Sequence, residues 1–157
     1  MGERVASDED LDGTGLRVGV CCGRFNRHIT DRLLASCLRA LADHGVADED
    51  VTVVWAPGAY ELPLVSQALV KGWGADAVIA LGAVIRGETG HYDLVAGECA
   101  GGLQRVQLDT GVPVVFGVLT TENEQQALDR SGDREDKGEE CAEVAIEMAN
   151  LLRSIGA

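Results

Sequence analysis

Residues 82–93 read GAVIRGETGHYD, placing Arg86, Glu88, Thr89, His91, Tyr92 and Asp93 around two glycines, Gly87 and Gly90. The run before them, ADAVIALGAVI (75–85), is almost wholly apolar. An imidazole titrates near neutral pH, so His91 is the natural proton carrier of the set. Gly87 and Gly90 would let backbone N–H groups face an anion or the edge of a heterocycle. Arg86 and Arg130 are both candidate anion clamps, and composition does not choose between them.

Three other stretches carry similar groups: GRFN (23–26), APGAYE (56–61) and TTEN (120–123). Each has a plainer reading beside the chemical one. Phe25 could staple a helix, yet an aromatic between Arg24 and Asn26 suits stacking on a planar ring. Glu61 could cap the helix it begins, or accept hydrogen bonds from a polyol. His91 could cap the helix that follows it.

The elements that must position these groups are legible from periodicity. LRVGVCC (16–22), VTVVWA (51–56), ADAVIALGAVI (75–85) and VPVVFGVLT (112–120) read as strands. Helices are predicted over 29–45, 61–72, 93–111, 123–132 and 136–156, with Pro63 in a first turn and Asn123 as a cap. The glycines within 93–111 would suit close contact between that helix and the sheet. Strands that are continuous apolar runs are covered on both faces, which is the mark of a parallel sheet between helices. The predicted fold is therefore α/β: a three-layer sandwich around a four-stranded parallel sheet, doubly wound and flavodoxin-like. Ligands bind beyond the carboxyl ends of such strands. Phe25, Tyr60, Glu61, Glu88, Thr89 and His91 should then converge on one crevice there.

Composition narrows the function classes. The net charge of −13 disfavours nucleic-acid and anionic-membrane binding, which need cations. Lys71 and Lys137 are the only lysines, so the surface is either that of an ordinary acidic enzyme or one suited to high salt. Five cysteines without a C-x-x-C, and three histidines at no ligand spacing, predict reduced buried thiols, a cytoplasmic protein and no metal site. The first residues lack an apolar h-region, so no signal peptide is expected. Residues 1–13 read as a soft acidic arm, and 14–157 as one domain. The leading part of LDGTGLRV (11–18) looks extended and free to reach a neighbour's sheet.

The segments GRFN, PGAYELP, ALGAVIRGETGHYD, VPVVFGVLTTEN with EQQALDRSG, and DKG occur in an order and spacing that resemble the lumazine synthase (6,7-dimethyl-8-ribityllumazine synthase) family. The resemblance runs from about Thr14 to the C-terminus. It implies the penultimate step of riboflavin biosynthesis: condensation of 5-amino-6-ribitylaminouracil with 3,4-dihydroxy-2-butanone 4-phosphate, without metal or organic cofactor. By the same resemblance Phe25 stacks on the pyrimidine, and backbone groups of Ala83, Val84 and Ile85 read its edge. Ala59, Tyr60 and Glu61 hold the ribityl chain. Glu88 and Thr89 line a phosphate pocket with Arg130 as cation, and His91 transfers protons. Phe116, read as following the fourth strand, closes the pocket from a neighbouring subunit, and Lys137 contacts the pyrimidine side.

The implied partners are small-molecule substrates, riboflavin synthase and further copies of the chain, as a pentamer or a shell of twelve pentamers. Three positions depart from the family pattern. Gly90 replaces a bulkier residue, Ala83 stands where threonine or valine is common, and Tyr60 replaces phenylalanine. The linker before Lys137 is short. A catalytically weak shell-forming or flavin-binding relative is the alternative. A receiver domain would need acids where the chain has GRFN, and a dinucleotide-binding domain would need G-x-G-x-x-G there.

Overall fold

The computed structural model describes Gly2 and residues 8–156. The four apolar runs form β1 (Val18–Gly23), β2 (Val51–Ala56), β3 (Ala77–Ile85) and β4 (Val114–Thr121). All neighbours pair in parallel, in the order β2-β1-β3-β4. Five helices flank the sheet: α1 (Arg27–Asp43), α2 (Leu62–Ala68), α3 (His91–Thr110), α4 (Glu124–Arg130) and α5 (Lys137–Ile155). This is the flavodoxin-like three-layer sandwich the apolar runs predict.

Alternate residues of each strand serve opposite layers. Val20, Cys22, Ile79, Leu81, Val115 and Leu119 pack into one core with α1 and α5. Cys21, Val78, Ala80, Val114 and Val118 pack into the other with Leu62 of α2 and Cys99, Leu103 and Val106 of α3. Leu81 is fully buried, so truncating it to alanine costs about 2–5 kcal/mol. The chain winds one way from β1 to β2 and the other way from β3 to β4. Its switch point lies between β1 and β3, where a crevice opens at the carboxyl edge.

Several details differ from expectation. The 61–72 helix is α-helical only to Ala68 and finishes as a π turn, Leu69–Trp73, before Gly74 at φ 83°. Helix α3 starts at His91, not at Asp93. Among the α3 glycines only Gly102 sits at a tight approach, and its neighbour is α2 rather than the sheet: a Cβ there would lie 2.7 Å from Pro63 Cγ. A Cβ on Gly97 or Gly101 would touch nothing within 4 Å.

The segment 11–18 is also not extended at its leading end. Asp8–Leu11 is a 3-10 turn, and Asn150 Nδ2 of α5 donates to the carbonyls of Asp10 and Asp12. Gly13 N donates to His44 O at 2.7 Å. This stretch therefore docks on its own α1 and α5. Residue 1 and residues 3–7 of the expected acidic arm lie outside the described residues.

One cap is as read from the sequence, and a second starts the last helix one residue later than expected. Asn123 Oδ1 accepts from Gln126 N at 2.9 Å and starts α4. Asp136 Oδ1 accepts from Glu139 N at 3.2 Å and from Ser36 Oγ at 2.6 Å, tying the start of α5 to α1. All five cysteines are buried and unpaired. Burial, above all, pushes the thiols of Cys21 and Cys141 up to about 11 and those of Cys22 and Cys99 up to about 12. It raises Cys37 further still.

Candidate active site

A cleft of about 900 Å³ opens at the carboxyl edge of β1 and β3. Phe25, Ala59, Tyr60, Glu61, Ala83, Val84, Ile85, Thr89 and His91 all line it.

Its geometry follows from two loops locked to one another and to the end of β3. Arg24 N donates to Ala56 O at 2.9 Å, and Phe25 N to Pro57 O at 3.2 Å, so the loops after β1 and β2 run together. Gly23 suits this close approach, because a Cβ would sit a tight 3.3 Å from Gly58 C. Asn26 has φ 59°, a left-handed turn into α1, and its Nδ2 donates to Ala83 O at 3.0 Å. That bond fixes the Phe25 loop to the end of β3.

These placements separate the alternatives that the sequence left open. Phe25 is 72% exposed, so it is not a packed staple; its ring is free to stack on a planar group across the cleft. Glu61 occupies the residue before α2, but its side chain makes no cap bond. Its carboxylate faces the cleft instead. A Cβ on Gly58 would lie 3.7 Å from Glu61 Oε1 and 3.8 Å from Phe25 Cβ, so aromatic and carboxylate flank one glycine. His91 is the first residue of α3, and its N–H donates to Thr89 Oγ1 at 3.3 Å.

The two arginines also separate. Arg86 Nε pairs with Glu122 Oε2 at 2.8 Å, and its Nη2 lies 3.4 Å from Asp93 Oδ1. Desolvation works against its charge, but Glu122 and then Asp93 outweigh it and hold the guanidinium above its ordinary pKa. Arg130 NH1 donates to Gln126 O of its own helix at 3.0 Å, and no carboxylate pairs with it among the described residues. Arg130 is thus the arginine with charge to spare for an anion.

Four residues expected at the site lie apart from the cleft lining: Glu88, Phe116, Arg130 and Lys137. Phe116 does not follow the fourth strand; it lies within β4, paired with Ala80. It is exposed although its same-face neighbours on this edge strand, Val114 and Val118, are buried. Phe116 and Lys137 line a second, smaller groove of about 300 Å³ along β4, between α3 and α5. No lysine or arginine is among the residues that line the main cleft.

Gly87 and Gly90 do not use the left-handed region that glycine favours. A Cβ on either would meet nothing within 4 Å, so both leave space open at the loop surface. Periodicity misses Asn26, Leu94, Val95 and Glu98. The last three share a face with His91 at helical spacings of three, four and seven, which only becomes visible once α3 is known to begin at His91.

A model of the 6,7-dimethyl-8-ribityllumazine synthase family matches residues 15–153, a span that takes in the whole sheet and every loop of the cleft. The chain belongs to the 6,7-dimethyl-8-ribityllumazine synthase family, which carries it into riboflavin biosynthesis as a transferase.

Proposed function

We propose that the cleft condenses 5-amino-6-ribitylaminouracil with 3,4-dihydroxy-2-butanone 4-phosphate to give 6,7-dimethyl-8-ribityllumazine. The observation that carries this is the meeting of Phe25, Glu61, Thr89 and His91 in one cleft of a family member. Phe25 offers a face for the pyrimidine, and the backbone of Val84 and Ile85 offers its edge hydrogen-bond partners. The Ala83 carbonyl already accepts from Asn26, so it serves the site by holding the Phe25 loop. Ala59, Tyr60 and Glu61 face the ribityl hydroxyls.

The chemistry needs positioning and proton movement. The amine attacks the ketone, and loss of water gives an imine. Phosphate leaves by elimination, the enol tautomerises, and ring closure loses a second water. His91 carries protons between these steps, and orienting both substrates supplies much of the remaining barrier reduction. Glu88 and Thr89 flank the phosphate, and Arg130 supplies the cation that the cleft lining lacks, in charge-assisted hydrogen bonds.

A complete site then needs a second copy of the chain. Phe116 and Lys137 project from the β4 groove, away from the cleft, so they can complete a cleft only from a neighbour. A ring closed by such head-to-tail contacts fits the pentamer, and twelve pentamers would make a shell. Riboflavin synthase, the consumer of the product, is the expected protein partner, and a cytoplasmic setting suits the unpaired thiols.

Incubating the purified protein with both substrates tests the reading. Lumazine absorbance should grow in step with released inorganic phosphate. Absence of both signals across a range of salt concentrations would leave the shell-forming or flavin-binding relative as the better account.

A further inference from the structure

Arg86 makes three side-chain contacts at a point where the site has little else to hold it. Its backbone N–H donates to Thr121 O at 2.8 Å, extending the β3–β4 ladder one residue past Ile85. The side chain then turns towards α3. Its guanidinium lies 4.2 Å from the centroid of the Tyr92 ring and reaches Asp93 Oδ1 at 3.4 Å. From the same guanidinium, Nε meets Glu122 Oε2 at 2.8 Å, in the connection between β4 and α4. One side chain thus joins the last residue before the 87–90 loop, the first turn after it, and the neighbouring strand's exit.

The loop between has few anchors of its own. Open space surrounds the Cβ positions of Gly87 and Gly90. Its internal bonds are the contact of His91 N with Thr89 Oγ1 at 3.3 Å and that of Asp93 N with Gly90 O at 3.1 Å. With glycines at both ends, its shape is set mainly by what fixes its two ends. His91 sits immediately before the two residues that Arg86 grips.

We propose that Arg86 is a positioning residue: by clamping Tyr92, Asp93 and Glu122 it fixes where the His91 imidazole enters the cleft. This rests on the reading of His91 as proton carrier. Arg86 itself does not touch substrate, and it is not the phosphate clamp, because two carboxylates and a ring already occupy its guanidinium. Exposed ion pairs contribute little to global stability, so the clamp's main effect is on local geometry. Small misplacements of a catalytic group cost rate steeply.

The test uses four proteins: wild type, Arg86→Met, His91→Ala and the double variant. Methionine keeps an apolar stem against Tyr92 and removes both ion pairs. Arg86→Met should lower kcat by about tenfold, leave each substrate's KM within about twofold, and shift the melting temperature by only a few degrees. In the His91→Ala background the same change should add no further loss, since nothing remains to be positioned. Arg86→Lys keeps the charge without the planar fork. It should give an intermediate kcat with the same non-additivity, and it replaces the methionine variant if that protein does not assemble.

Wild-type kcat in Arg86→Met would overturn the proposal. So would a loss that multiplies fully with His91→Ala, or a rise confined to the KM of the phosphate-bearing substrate. A His91→Ala variant with unchanged kcat would instead remove the proton-carrier reading, and the positioning role with it, before Arg86 is considered.

Discussion

The cleft at the carboxyl edge and the groove along β4 are made differently. The cleft is built where the loops after β1 and β2 are tied together by backbone bonds and Asn26 reaches across from the first to the end of β3. The groove is the bare flank of an edge strand, with Phe116 39% exposed on it. Phe25 and Phe116 are the only phenylalanines in the chain, and each is left uncovered at one of these two places. The cleft holds His91, Glu61 and Glu98 but no lysine or arginine, whereas the groove holds Lys137 paired with Glu140 at 3.3 Å. The proposed shared site would bring these two uncovered places together, one from each of two copies.

The largest expected effect breaks the chemical half. His91→Ala should lower kcat by about a hundredfold with little change in KM, as loss of general acid–base help does. A kcat within about twofold of wild type would show that the cleft does not depend on His91. Arg130→Ala should weaken the phosphate-bearing substrate by about tenfold or more, the range for a lost charge-assisted pair, and leave the pyrimidine substrate unaffected. Inorganic phosphate titrated against both proteins measures this directly, and equal affinities would assign the anion to another group.

Mixing sharpens the comparison. His91→Ala and Phe116→Ala damage opposite halves, so each alone should be weak. Unfolded together and reassembled one to one, they should regain about a quarter of the wild-type sites if each site takes one half from each copy of a ring. A mixture no better than the average of its parents would place both halves in one chain.

Alkali should act on the cores and spare the comparison between halves. The buried thiols hold their protons to about 11 or 12, whereas an unfolded thiol titrates near 9.0. Between those values the unfolded chain binds fewer protons than the native one, so stability falls as pH rises. It is unaffected by these groups below pH 9.0. The native protein should accordingly resist thiol reagents at pH 8, while the denatured chain reacts at all five cysteines. A fast-reacting thiol in the folded protein would contradict this.

The smallest expected effect is general. With −13 charges per chain, screening of self-repulsion should raise the melting temperature by several degrees between low and molar KCl. A flat profile would leave an ordinary acidic enzyme.

Part of the site is legible in the sequence alone. The strand exits name themselves, because an apolar run that stops at glycines and ionisable residues marks the place where a buried strand reaches solvent. Phe25, Glu61, Thr89 and His91 stand out in this way, and all face the cleft. Asn26 does not, because a left-handed residue that bonds a carbonyl 57 positions away leaves no local signal. Leu94, Val95 and Glu98 escape notice because periodicity starts α3 two residues late, which hides their shared face with His91.

The sequence by itself determined the layer order, the parallel sheet and the buried thiols, since apolar periodicity and run length are local properties that tertiary packing here only ratified. Tertiary structure decided what depends on pairs distant in the chain. It bound Arg86 to Glu122 and left Arg130 without a carboxylate partner among the described residues. It folded residues 8–13 back onto α5, and it put Phe116 on the flank of an edge strand, outside its own chain's cleft. Charge neutralisation and edge exposure are set by which surfaces meet, and no single stretch of chain carries that information.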